Sequence, residues 1–171
     1  PSSGAVDERL LAAPNPPIVG GVRPVHVVLA TISGQAADGT TTSALAYTVD
    51  GAVGENFGDA TGDALSFSVA SQRSIGTYPG WGSLSTCTFT QQWAFLEWAA
   101  ARVGVPVQSW PGHLVVYTPR LTACGFAGVG TLSLGGSVWL NGAPGWTIVA
   151  HELVHTLLLE HSNTRALCRR G

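Results

Sequence analysis

The segment Trp146-Thr147-Ile148-Val149-Ala150-His151-Glu152-Leu153-Val154-His155-Thr156-Leu157-Leu158-Leu159-Glu160-His161 poses one structural question: does it stay helical to its end? Apolar residues Ile148, Val149, Leu153, Val154 and Leu157 recur at helical spacing and supply a buried back, so a helix is expected over residues 145–159. Residues four apart on a helix differ by about 40° around its axis, which sets His151 and His155 on one face with Glu152 beside them. His161 stands six residues past His155, about 240° around a continuous helix, and joins the other two only if the backbone bends between them. In the motif H-E-x-x-H-x-x-G-x-x-H a glycine makes that bend, whereas this sequence has Leu158 there. A leucine in the left-handed conformation costs roughly 1–2 kcal/mol, a strain that metal ligation would offset. If the helix runs straight on, His161 is an ordinary surface residue.

These residue types suit one chemistry. Neutral imidazole nitrogens bind Zn²⁺ well, and three protein ligands leave a fourth position at which the pKa of water falls to about 7. Glu152, next to the ligand face and not itself a ligand, is placed to act as general base and then general acid. The expected cofactor is therefore Zn²⁺ on His151, His155 and His161, and the expected reaction is hydrolysis of a polypeptide.

Upstream of this helix, strand and helix signals alternate. Residues 137–140 (Ser-Val-Trp-Leu) form a short apolar run ended by Asn141-Gly142, and residues 114–117 form another ended by Pro119. The glycine-rich stretch 125–136 joins these two without a helix, so residues 137–140 are expected to run antiparallel at a sheet edge. Phe89, Trp93, Leu96, Ala100 and Val103 recur at spacings of three and four, giving a helix over residues 88–103. Leu65, Phe67 and Val69 alternate with polar or small residues as a two-faced strand. Leu45, Val49, Ala52, Val53 and Phe57 mark a helix over residues 41–57 with Gly58 as its stop. The β-branched run 25–32 is a buried first strand, and residues 1–23, with Pro14-Asn15-Pro16-Pro17 and Gly20-Gly21, form a tail or linker. Alternation of this kind gives an α/β (α+β) domain over residues 24–171, a mixed sheet packed by two helices with the histidine helix at its C-terminal end.

Composition narrows the partners. A chain of 171 residues, 45% hydrophobic and 11% charged, has material for one sizeable core. A net charge of −2 without a basic run leaves no electrostatic footprint for nucleic acid or an acidic membrane surface, and no apolar stretch is long enough for a span. The expectation is a soluble monomer. Of three cysteines, a Cys87–Cys124 disulfide with Cys168 left over fits an exported protein, the alternative being three reduced thiols in a cytosolic one. His26 and His113 lie at strands without a carboxylate nearby in sequence and read as structural. Trp93 and Trp98 read as helix packing, while Trp81, Trp110, Trp139 and Trp146 remain open for surface recognition.

From Leu114 onward the chain resembles the gametolysin-type zinc metallopeptidases of the metzincin clan. The likeness rests on Val115-Val116-Tyr117-Thr118-Pro119, Ala123-Cys124-Gly125-Phe126-Ala127-Gly128-Val129-Gly130, Ser137-Val138-Trp139-Leu140-Asn141-Gly142 and the residues from His151 to Asn163, and more loosely on Asn56-Phe57 leading to Leu65-Ser66-Phe67. It implies a metzincin-like upper subdomain, with the zinc helix beneath a twisted mixed sheet whose antiparallel edge strand pairs with extended substrate. By position the resemblance assigns that edge to Ser137, Val138, Trp139 and Leu140. The family's chain continues to a Met-containing turn beneath the metal; this sequence has no Met and ends ten residues after His161, so we expect a fragment lacking that turn and the C-terminal subdomain. The resemblance thus implies a secreted zinc endopeptidase. Its rivals are a catalytically impaired zinc-binding or adhesion domain and a secreted carbohydrate-binding module.

Overall fold

Three apolar runs with no polar alternation become neighbouring parallel strands, as expected of strands covered on both faces. They are β1 (Gly21–Ile32), β3 (His113–Thr118) and β5 (Ser137–Asn141). In the computed structural model, which describes residues 20–108 and 112–159, the sheet order is β2-β1-β3-β5-β4, with β2 (Leu65–Tyr78) and β4 (Gly128–Gly130) at the edges. All pairings are parallel except β4 with β5.

The connections from β1 to β2 and from β2 to β3 cross through helices, whereas β3 leads to β5 through β4. From β1 the chain forms α1 (Thr42–Tyr47), a π-helical segment (Thr48–Val53) and α2 (Gly54–Thr61), then enters β2. Thr41 caps α1 by accepting the Ala44 N–H. The helix expected to stop at Gly58 runs on to Thr61, because Gly62 (φ +60°) supplies the left-handed turn and the Asp63 N–H bonds back to the Gly58 carbonyl. From β2 the chain crosses through α3 (Phe89–Val103), opened by a capping box between Thr88 and Gln91. The last element is α4 (Trp146–His155).

Side chains sort by strand parity into two cores. Val25, Val27, Val115, Tyr117, Val138 and Leu140 face α1, the π-helical segment and α4, meeting Leu45, Val49, Val53, Val149 and Leu153. Val28, Ile32, Leu114, Val116 and Trp139 face α3, meeting Phe95, Leu96, Ala99 and Ala100. A Cys87–Cys124 disulfide ties the residue before the α3 cap to the loop between β3 and β4, across a Cα separation of 5.1 Å.

Two expectations are corrected. Residues 21–23, assigned to the tail, belong to β1, where Gly21, Val22 and Arg23 pair with Leu65, Ser66 and Phe67; residues 1–19 lie outside the described part. Ser137, Val138, Trp139 and Leu140 do not form an antiparallel edge: their strand runs parallel to β3 and is flanked by β4 on its other side. Each is fully buried, and the Trp139 indole donates to Thr118 Oγ1 at 2.9 Å. A strand paired on both sides has no backbone groups to offer a substrate, so that assignment falls. The antiparallel edge exists, but it is β4.

Candidate metal centre

The apolar back of α4 docks Val149 and Leu153 into the sheet, which turns the other side of the helix outward. His151 is exposed and His155 half-buried there, with ring centroids 5.0 Å apart and planes at 88°. Glu152, between them in sequence, is 7% exposed.

The helix stops at His155. Thr156 caps it, and its hydroxyl donates to the Leu153 carbonyl at 2.6 Å while accepting from His113 Nδ1 at 2.7 Å. Leu158 adopts φ +66°, and the Leu159 N–H bonds back to the Val154 carbonyl at 3.4 Å, a Schellman-type ending with leucine in the usual glycine place. Leu157 remains in the core, whereas Leu158 and Leu159 emerge into solvent. The bend also orients a ring: His155 Nδ1 lies 2.7 Å from the Leu159 carbonyl oxygen. A carbonyl only accepts, so Nδ1 carries the proton, and in the neutral ring the lone pair is on Nε2. A backbone carbonyl on the second nitrogen is the usual way a metal-binding imidazole is held. His151 and His155 could therefore supply two nitrogens to a metal ion such as zinc.

Strand β4 lies directly on this helix. A Cβ at Gly128 would stand 2.8 Å from Glu152 Cγ and 3.0 Å from its Oε1, and one at Gly130 would strike the Glu152 carbonyl oxygen and approach His155 Cβ. Only glycine permits that approach. The register Gly128↔Leu140, Val129↔Trp139, Gly130↔Val138, with the Asn141 N–H bonded to the Ala127 carbonyl and the Thr131 N–H to the Ser137 carbonyl, makes Val129 the inward-bonding residue. In an antiparallel ladder the alternate residues point their N–H and C=O the other way, so Gly128 and Gly130 present theirs to the outer edge.

Among the described residues no group of three or more His, Cys, Asp or Glu is placed to hold a metal, and His161, the third expected ligand, lies outside them, as do Cys168 and Trp110. His26 bonds through Nδ1 to Ser71 at 2.9 Å, away from the site. His113 is buried at the α4 terminus, where burial and then the Arg23 charge push its pKa down to about 4. Trp81 and Trp139 are packed in the core beside Phe95, which removes them as sugar-stacking surfaces; Trp146 is 46% exposed. Sequence reasoning missed Gly128 and Gly130, whereas His113, read as structural, is buried and bonded to Thr156 at the end of α4. The glycine alternation at 128 and 130 was the available signal for the two it missed.

No protein-family model matches the chain, and no curated protein or solved structure matches it either. None of the helices among the described residues is long and apolar enough to cross a membrane.

Proposed function

We propose that the chain is the catalytic part of a secreted zinc-dependent endopeptidase of metzincin type. The observation that carries this reading is the left-handed turn at Leu158 directly after His151-Glu152-Leu153-Val154-His155, at the place where a ligand set completed by His161 needs the helix to end. A straight helix would have left only two histidines in reach. The Cys87–Cys124 bridge supports an oxidising compartment, and so export.

In this reading His151, His155 and His161 would hold the ion, and its presence would supply polarisation of the scissile carbonyl and a water acidic enough to act near neutral pH. The substrate lies extended along β4, its backbone paired with the N–H and C=O groups of Gly128 and Gly130. Glu152, pressed against Gly128, takes the proton of the attacking water and passes it to the leaving amide nitrogen. His113 and Thr156 hold the end of α4 so that both histidines keep their orientation.

The test is metal content and hydrolysis of a quenched casein substrate by the purified chain and its Glu152→Gln variant. One zinc per chain, with hydrolysis falling about 10²-fold or more in the variant at unchanged zinc content, is expected. Absence of stoichiometric zinc removes the reading. Zinc without hydrolysis returns the chain to a catalytically impaired zinc-binding domain.

A further inference from the structure

On the face of the sheet opposite α4, the outer side of β4 borders a cavity of about 260 Å³. One wall is α3, through Phe89, Trp93 and Leu96; the other is the β4 strand and its exit, through Val129 and Leu132. Phe89 is 76% and Leu132 48% exposed, a large outlay of apolar surface in one place. Phe89 and Trp93 stack with centroids 6.3 Å apart, and the Trp93 indole is anchored by donating to Glu97 at 2.8 Å. The disulfide fixes the start of α3 against the loop that leads to β4, so both walls are held in relation to each other. Small-molecule sites usually enclose about 300–1,000 Å³, so this cavity suits one side chain better than a free ligand. Among the described residues no charged side chain lines it.

We infer that this cavity is a specificity subsite that takes a bulky apolar or aromatic side chain of a peptide paired to β4. The register selects the residue. Gly128 and Gly130 offer the outward hydrogen bonds and face α4, whereas Val129 between them faces α3 and packs with that core. Cross-strand neighbours project to the same face, so the peptide residue opposite Val129 points away from the histidines and towards Phe89 and Trp93. Its two neighbours point towards α4. The subsite is continuous with the edge of β4 that no described strand pairs, which fixes the peptide by its backbone while the cavity reads one side chain.

This inference rests on the strand-addition part of the proposed function, and it is tested by binding as well as by turnover. Fluorescein-labelled hexapeptides in which Phe is moved along an otherwise Ala and Ser sequence are titrated against the protein by anisotropy, and their cleavage is followed in parallel. At one position Phe tightens binding by about ten-fold or more over Ala. In Phe89→Ala and in Trp93→Ala that ratio falls towards one, while the all-Ala peptide binds as before; Trp93→Phe keeps most of it. Phe89 is exposed enough that its variant folds as the parent does. The subsite is overturned if no position distinguishes Phe from Ala, or if both alanine variants keep the distinction. Binding selectivity lost in the variants, in a protein that cleaves nothing, supports the subsite and removes the peptidase reading. Cleavage without selectivity does the reverse.

Discussion

Leu158 holds a backbone conformation that leucine adopts only under compulsion, with φ +66° at a half-exposed position. Glycine there escapes the roughly 1–2 kcal/mol of strain but has more freedom to lose on folding, about 0.5–1 kcal/mol. Leu158→Gly is therefore expected to raise stability by roughly 0.5–1 kcal/mol in urea unfolding with chelator present. A variant less stable than the parent would mean that the side chain matters more than the strain. The opposite sensitivity belongs to Gly128. An added methyl group 2.8 Å from Glu152 Cγ has to displace the carboxylate, so Gly128→Ala is expected to lower kcat on the order of a hundred-fold with zinc content unchanged. Unchanged kcat would show that Glu152 takes its place independently of β4. The paired histidines were legible from spacing alone, because four residues on a helix is a fixed angle. The glycines offered only their alternation, whose meaning lies in what a Cβ would touch.

Strands and helices were read where hydrophobic periodicity is strong, and misread where it is absent. The apolar run beginning at Ser137 has no polar alternation, which is the mark of an interior parallel strand, yet the helix-free glycine-rich connection before it, together with its position in the resemblance, placed it at an edge. The true edge, Gly128–Gly130, is three residues with a single side chain beyond hydrogen and so carries no period to detect. Similarly, β2 extends to Tyr78 because β1 offers partners through Ile32, a fact of pairing and not of local pattern. Between elements, His113 couples β3 to α4 through Thr156 and carries a pH consequence. Its pKa lies at about 4 in the fold against 6.5 ordinarily, so the unfolded chain binds the extra proton between those values. Stability is then full above about pH 6.5 and declines as pH falls, by roughly 3 kcal/mol at pH 4. Denaturant midpoints measured with chelator at pH 7 and pH 4 check this, and His113→Asn should flatten the dependence. A slope of the opposite sign would contradict a neutral buried imidazole.

For the molecule as a whole, the disulfide closes a loop of 37 residues that contains α3 and β3. Loop-closure entropy assigns such a bridge about 4 kcal/mol, so reduction, or a Cys87→Ser/Cys124→Ser pair, is expected to lower Tm by roughly 10 °C. An unchanged Tm would mean that the two cores hold these elements without it. The sheet's two borders also differ in how they resist self-pairing. On one side β2 is long, but two register shifts interrupt its ladder and Ser71, Gln72, Arg73 and Ser74 keep that border hydrophilic. On the other side β4 is too short to template a second copy, since a neighbour gains only the few bonds offered around Gly128 and Gly130. Brevity at that border keeps β4 from seeding aggregation, and only a chain with a further foothold nearby lingers there.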